Sequence, residues 1–284
     1  MLLSSLGKVF VNRQAFCQGF FEIKEKVLAF LNECVSLASM AKKNGHPGLI
    51  VFLAIASLSE LWGIFGLYCS VYYHALPRAE DALKSSASIK VRCADWLTSF
   101  EPTVPSSLGY IFYPGGKVES KAYAPFCRAL SEKGNPTYLV TMPYNLAFFD
   151  LNRATSLIEE HPNVTSWVLL GHSLGGAMAG SYAADHYSRL TGVVFLAAYT
   201  PSDLSKTPLK SMTFYGSEDG VMNRNKYKEA YSWLSLNNKE VVIAGGNHAS
   251  FGVYGEQNGD GKATITPEEQ IQECVDDIAA FFAG

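Results

Sequence analysis

Gly171-His172-Ser173-Leu174-Gly175-Gly176 is the stretch that decides the fold of this 284-residue chain. The apolar run before it, 166–170 (SWVLL), is typical of a buried strand, and the small residues AMAGSYAADH after it suit a tightly packed helix. Between a strand and a helix, the pattern G-x-S-x-G predicts a sharp turn that exposes the serine. Glycine is required two residues to either side because a Cβ atom there would clash with neighbouring backbone. We therefore predict that Ser173 stands above the sheet as a nucleophile.

Main-chain amides that could stabilise a developing negative charge lie close to Ser173 in the predicted fold. The following helix points its free N–H groups and positive dipole end at this position, so the Leu174 N–H is predicted to be one oxyanion donor. The predicted strand 109–113 leads into Pro114-Gly115-Gly116-Lys117, where glycines allow close approach of a substrate. We predict the Gly116 N–H as the second donor, although a shift of one residue would put either neighbour in its place. The candidate substrate-binding residues are Gly115, Lys117 and His172.

A serine hydroxyl is a weak nucleophile at neutral pH and needs a histidine base. With this motif the chain order is serine, then acid, then histidine. His248, in VVIAGGNHASFG, is the one histidine that follows a further strand and loop after the serine, so it is the predicted base. His172 lies inside the turn, where its side chain should point away from Ser173. The other histidines precede the turn or lie on the next helix: His46, His74, His161 and His186.

The predicted acid is Asp219, which follows SMTFYG at the C-terminal end of the predicted strand 211–215. Sheet enzymes keep their sites at such strand ends. Asp219 would accept a hydrogen bond from the far ring nitrogen of His248, fix its tautomer and stabilise the imidazolium. Glu218 and Asp203 are the alternatives. Glu218 should point elsewhere if Asp219 points inward, and Asp203 is typical of a turn or cap.

Strand and helix patterns alternate beyond residue 90, which predicts an α/β fold with a mostly parallel central sheet and helices on both faces over 90–284. The predicted strands are 109–113, 137–142, 166–170, 192–199, 211–215 and 240–244. The predicted helices are 120–133, 150–160, 174–188, 224–235 and 268–282. Because only residues 200–210 separate the strands that usually flank an inserted lid, we expect an open site.

The pattern of the N-terminal 73 residues indicates attachment to a membrane rather than a catalytic role. Helix-like spacing of apolar residues over 4–43 indicates an amphipathic helix within a segment 1–47, although an ordinary packed or surface helix has the same pattern. Residues 48–73 form the transmembrane candidate, because Glu60 is their only formally charged side chain. A helix buried against the rest of the protein, with Glu60 paired, is the alternative. Residues 74–89 form a connector, and Lys42 and Lys43 favour an extracytoplasmic C-terminal domain.

Charge and cysteine patterns exclude other classes of protein. The formal net charge is −3, which offers no field for attracting nucleic acid. The six cysteines form no C-x-x-C pair or zinc-ligand spacing, although a bridge from Cys93 to Cys127 or Cys274 stays open. Residues 256–261 resemble half of a calcium loop, but Pro267 stands where a bidentate Glu is needed. We expect a polar loop that shapes the rim near His248, no metal and no cofactor.

The motifs GHSLGG, GSEDG and GGNHASFG together resemble the α/β-hydrolase superfamily. The stretches FYPGGKVESKAY, VTMPYNLAF and NHASFGVYGEQNGDGKATI are similar to one lidless group of serine hydrolases within it. Members of that group commonly carry an N-terminal membrane anchor and a connector like LPRAEDALKSS. The resemblance implies Ser173, Asp219 and His248 as the triad but no established substrate. Dienelactone hydrolases, which are distantly similar, use a cysteine in place of Ser173, so their substrate does not transfer.

These observations predict a membrane-anchored serine hydrolase that cleaves a small carboxylic ester or thioester through an acyl-enzyme intermediate. The sequence predicts a small-molecule partner and a membrane, and no particular oligomeric state. A membrane-tethered binding module without turnover is the alternative from another class. An acyltransferase or amidase would use the same triad.

Overall fold

The computed structural model describes residues 47–283, which divide into two units after Val71. The amphipathic helix predicted over 4–43 lies outside the described residues. In the first unit, helix α1 spans Pro47–Ser70 and coincides with most of the predicted membrane segment 48–73. Among the described residues, no helix combines the length and the apolar character needed to cross a bilayer. The predicted transmembrane helix is therefore not supported by the structure.

The second unit is built on one sheet of eight strands. Their bounds are β1 Ile89–Cys93, β2 Leu97–Pro102, β3 Leu108–Tyr113, β4 Thr137–Val140, β5 Ser166–His172, β6 Gly192–Leu196, β7 Lys210–Gly216 and β8 Asn237–Ile243. The strand order is β1-β2-β4-β3-β5-β6-β7-β8. Only β2 runs against its neighbours, so the sheet is mostly parallel, as predicted.

The six predicted strands are present as β3 to β8. The residues of β3 to β7 are largely buried, which accounts for their apolar character, whereas β8 lies at the sheet edge and is mostly exposed. Three of the predicted strands extend too far at their C-terminal ends, because β4, β6 and β8 end at Val140, Leu196 and Ile243. Strands β1 and β2 were not predicted. β1 lies at the sheet edge with most of its side chains at least partly exposed, and β2 ends at Pro102, so neither has a continuous apolar run.

Helices of the second unit cover both faces of its sheet, as predicted. The helices of this unit are α2 Pro77–Glu80, α3 Ala124–Glu132, α4 Arg153–Glu160, α5 Leu174–His186, α6 Arg224–Ala230 and α7 Pro267–Phe282. Alternate strand residues point to opposite faces, so the buried side chains form two cores. One core packs α3 and α7 against residues such as Phe112, and the other packs α4 and α5 against residues such as Ile111.

The connection between β6 and β7 is short, and three cysteines of the second unit are free. Residues 197–209 join β6 to β7 without a helix, so no helical lid is inserted at this point. Cys93 is exposed, whereas Cys127 and Cys274 are buried, and all three are free thiols. The bridge from Cys93 that the sequence left open is therefore absent from the structure.

Candidate active site

The turn between β5 and α5 presents Ser173 with φ 51° and ψ −118°, an unusual conformation for a residue other than glycine. Its N–H donates to the Leu196 carbonyl at 2.9 Å. A Cβ atom on Gly171 would lie 2.5 Å from the Gly175 backbone, and one on Gly175 would lie 2.3 Å from the Tyr113 carbonyl oxygen. Both glycines are therefore required for the chain to turn here, for the reason that the sequence motif implies.

The Pro114–Lys117 segment leaves one amide for a ligand. The Gly115 N–H donates to Tyr123 Oη at 3.1 Å, and the Lys117 N–H donates to the Asn145 carbonyl at 2.8 Å. The Gly116 N–H makes no hydrogen bond to any part of the chain that the structure describes. Of the three alternatives that the sequence left open, Gly116 is therefore the available donor, and the other two amides are occupied.

Gly116 lies directly against the residue that follows the nucleophile. A Cβ atom on Gly116 would come within 2.8 Å of Leu174 Cδ2, so a larger residue at 116 would displace the Leu174 side chain. Leu174 is the first residue of α5, where a helical N–H has no partner within the helix. The structure thus places the two predicted oxyanion residues next to each other. Lys117 is buried with φ 58°, and its contact with substrate stays a prediction.

The predicted base and acid form a buried pair at the C-terminal ends of β7 and β8. His248 Nδ1 lies 3.0 Å from Asp219 Oδ2, and both side chains are almost completely excluded from solvent. Asp219 Oδ1 accepts two further hydrogen bonds, both at 2.8 Å, from the Val221 and Met222 amides. This arrangement fixes the carboxylate from both sides and holds the imidazole in one orientation.

The hydrogen bonds decide the charge of Asp219. Burial opposes the ionised carboxylate, but the hydrogen bond and charge interaction with His248 outweigh it, together with the Met222 and Val221 amides. The pKa of Asp219 is consequently held below its ordinary value. At neutral pH this carboxylate is ionised and can stabilise a positive charge on His248.

The other ring nitrogen of His248 takes no part in the hydrogen bond to Asp219. His248 Nε2 is buried and has no hydrogen-bond partner among the described residues, so it is not bonded to the Ser173 hydroxyl in this structure. In enzymes without substrate, catalytic hydrogen bonds are often long and tighten only in the complex. The His248 ring does lie beside the turn, because its centroid is 4.7 Å from that of His172, the residue before the serine.

His172 is a buried residue that packs against the ring of His248. Its side chain is 1% exposed, and Nδ1 lies 2.8 Å from Tyr123 Oη, which also accepts the Gly115 N–H. Burial, followed by the nearby His248, lowers the pKa of His172 well below its ordinary value, so the ring is neutral at neutral pH. The structure therefore places His172 against the ring of His248, and its contact with substrate stays a prediction.

The two alternative acids lie in other positions. Glu218 accepts a hydrogen bond from the Ser217 hydroxyl at 2.9 Å and is exposed. Asp203 is also exposed, and its carboxylate accepts the Ser205 N–H at 2.9 Å, as a turn residue does. Asp219 is the carboxylate that the structure brings to His248.

Sequence reasoning missed the residues that hold the loops in place. Gln270 on α7 accepts the Asn247 N–H at 3.0 Å and donates to the Asn247 carbonyl at 2.9 Å, which fixes the residue before His248. Asp260, in the 256–261 loop, accepts the amides of His248 and Ala249 at 3.2 and 2.8 Å. A buried glutamine on an amphipathic helix was the available signal for Gln270. For Asp260 it was the G-D-G sequence after the base.

A cluster of aromatic side chains lies next to the Gly116 segment. We call residues 143–149 the aromatic loop. It is tied to this segment through Asn145, and its turn Ala147–Phe149 contacts α5. The exposed rings of this loop contact one another, with centroids 4.4 to 5.5 Å apart: Tyr144, Phe148 and Phe149. The aromatic loop thus exposes apolar surface, and its Asn145 is hydrogen-bonded to Lys117, the residue after Gly116.

Within residues 47–283 there is no group of three or more His, Cys, Asp or Glu side chains that could hold a metal ion. The 256–261 loop uses its one aspartate to accept main-chain N–H groups, including those of Gly220 and Gly261 at 3.1 and 2.9 Å. Its oxygens therefore bind the chain itself, as expected for a polar loop near His248.

Several solved structures are similar to this chain. A predicted CIB-like hydrolase from Thermoplasma acidophilum is 19% identical, with 68% of this chain and 98% of that chain covered and a TM-score of 0.51. A dienelactone hydrolase from Anabaena variabilis is 16% identical, with 69% and 98% covered and a TM-score of 0.53. Est1E from Butyrivibrio proteoclasticus is 15% identical, with 70% and 100% covered and a TM-score of 0.51. At these identities the likeness establishes the fold.

Comparison of the sequence with curated proteins gives no match. Comparison with protein families matches residues 109–272 to the family described as the Alpha/beta hydrolase family. The matched segment runs from β3 into α7 and includes the Ser173 turn, Asp219 and His248. Because it covers more than half of the sequence, the chain belongs to the alpha/beta hydrolase family of enzymes.

Proposed function

We propose that this enzyme is a serine hydrolase that cleaves a small carboxylic ester or thioester through Ser173, His248 and Asp219. The observation that carries the proposal is the buried His248–Asp219 hydrogen bond of 3.0 Å beside the Ser173 turn. An imidazole oriented by an ionised carboxylate is what a serine hydroxyl needs in order to react at neutral pH.

The reaction would proceed in two halves. Ser173 Oγ attacks the carbonyl carbon while His248 Nε2 takes its proton, and His248 returns that proton to the departing alcohol or thiol. Water then attacks the acyl-enzyme, with His248 again as the base, and releases the acid. The Leu174 and Gly116 N–H groups bind the oxyanion in each half. A single donor of this kind is commonly worth about 10²- to 10³-fold in kcat.

The substrate that fits best is an ester with a short or shallow-binding apolar acyl group. The short β6–β7 connection leaves the site without a helical lid, so little surface encloses a long chain. The aromatic loop, whose Asn145 carbonyl accepts the Lys117 N–H, supplies exposed apolar surface. An acyl group lying on these rings would bury apolar area without needing a deep pocket.

Labelling and turnover test the proposal together. We expect a fluorophosphonate probe to modify Ser173 and p-nitrophenyl esters to be hydrolysed, with kcat for S173A lower by on the order of 10⁴-fold or more. Ser181 on α5 provides the matched control, and S181A should keep both properties. Esters of increasing acyl length, run beside acyl-CoA substrates, would separate esterase from thioesterase action. A wild-type chain without labelling and turnover would contradict the proposal and favour the non-catalytic binding module.

A further inference from the structure

Asp260 joins the two loops that carry the acid and the base. Its Oδ1 accepts the Gly220 N–H at 3.1 Å, one residue after Asp219, and the His248 N–H at 3.2 Å. Its Oδ2 accepts the Ala249 N–H at 2.8 Å. One half-buried carboxylate therefore holds main-chain groups on both sides of the His248–Asp219 pair.

The backbone of this region is shaped so that the three segments can meet. A Cβ atom on Gly220 would lie 2.6 Å from the Gly259 carbonyl oxygen, and one on Gly261 would lie 2.0 Å from the Glu218 carbonyl oxygen. Both positions require glycine because backbone contacts backbone there. Asn247 Nδ2 also donates to the Gly261 carbonyl at 2.8 Å. The loop is thus fitted to the acid and base loops independently of the Asp260 carboxylate.

We propose that Asp260 is a positioning residue that sets the geometry of the His248–Asp219 pair. The inference rests on the proposed function of that pair. Carboxylates bind main-chain N–H groups with charge-assisted hydrogen bonds, which are about twice as strong as neutral ones. Without the Asp260 carboxylate, the His248 and Gly220 N–H groups would no longer be held by one shared acceptor, and the loops that carry His248 and Asp219 could shift relative to each other. The imidazole would then lose its fixed distance to Asp219, while the substrate-facing residues would stay in place.

The consequence should appear in kcat more than in KM. An error of about 1 Å in catalytic geometry can cost about 10²-fold in rate. We expect D260A to lower kcat by about 10- to 100-fold, with KM for a short ester within about twofold of wild type. D260N keeps one acceptor oxygen and should recover part of the loss. E256A, which removes an exposed carboxylate from the same loop, should behave like wild type.

A spectroscopic measurement tests the geometry without relying on turnover. The proton on His248 Nδ1 should give a low-field ¹H resonance in wild type and E256A, because it is hydrogen-bonded to Asp219. We expect this resonance to be weakened or shifted upfield in D260A, and less so in D260N, at a temperature where both variants remain folded by circular dichroism.

The outcomes separate this inference from the proposed function. An unchanged resonance and unchanged kcat in folded D260A would overturn the role of Asp260 and leave the triad intact. If D260A does not fold, a folded D260N that matches wild type in both readouts would overturn that role equally. A wild-type enzyme that shows the resonance but no labelling and no turnover would contradict the proposed function, while the effect of D260A on the resonance would still test the positioning role.

Discussion

At the scale of single residues, Asp219 links the site to the stability of the fold. Its pKa is lower in the folded protein than in the unfolded chain, so it stabilises the fold above its unfolded pKa of about 3.9 and loses that contribution as pH falls through its folded value. We expect D219N to be less stable than wild type at pH 7 by about 1–3 kcal/mol. The difference should shrink below about pH 4. Urea unfolding at pH 7, 5 and 3.5 measures it.

Asp95 offers the matched control for this experiment. It lies exposed between β1 and β2, so D95N should change stability little at any of these pH values. A gap between wild type and D219N that stays constant down to pH 3.5 would contradict the assignment of an ionised, hydrogen-bonded carboxylate.

The candidate triad could be selected from the sequence because motif, chain order and strand ends all constrain the choice of residues. Ser173 lies in a local pattern, and His248 is the one histidine in the right order. The choice among the Gly115, Gly116 and Lys117 amides could not be made in this way. It depends on Tyr123 Oη and the Asn145 carbonyl, which occupy two of the three amides from distant parts of the chain.

At the scale of elements, the aromatic loop should determine which acyl groups are accepted. The rings of Phe148 and Phe149 are 47% and 44% exposed, so an acyl chain can cover them. We expect the double variant F148A/F149A to raise KM about 5- to 20-fold for hexanoyl or benzoyl esters, from the loss of roughly 1–2 kcal/mol of apolar contact. For p-nitrophenyl acetate, kcat/KM should change less than about twofold. Steady-state kinetics across the ester series gives the comparison.

Tyr187 supplies an aromatic side chain of the same exposure, 45%, beyond the opposite end of α5. Y187A should leave the dependence on acyl length unchanged. If F148A/F149A lowers kcat/KM equally for the acetyl and hexanoyl esters, the loop supports the fold of the site rather than the binding of the acyl group.

The elements themselves were predictable where both faces of a strand are buried. β5 and β6 are apolar along almost their whole length, since helices cover them on both sides. β1 and β2 are different because edge position and neighbour contacts, rather than apolar composition, make them strands. Sheet order likewise depends on pairing between distant segments, such as β3 with β5, which no local pattern encodes.

At the scale of the whole molecule, the fold of the second unit is that of an α/β-hydrolase, and attachment to a membrane stays a prediction of the sequence. Helix α1 exposes large apolar side chains at Phe52, Ile55, Leu58, Trp62 and Leu67. Transfer of each such side chain from water to an apolar environment is favourable by about 1.5–3 kcal/mol of free energy. We expect the full chain to sediment with membranes after a high-salt wash. I55K/L58K should be released at least tenfold more readily, as measured by the supernatant fraction.

The control for the sedimentation experiment uses apolar residues of the second unit that are at least as exposed as Ile55 and Leu58. Val104 and Leu236 are 83% and 96% exposed, so V104K/L236K adds the same charge to the chain without altering α1. This variant should sediment like wild type. Equal release of the two double variants would show that added charge, rather than the apolar surface of α1, governs sedimentation. Wild-type protein in the supernatant after the salt wash would contradict membrane attachment directly.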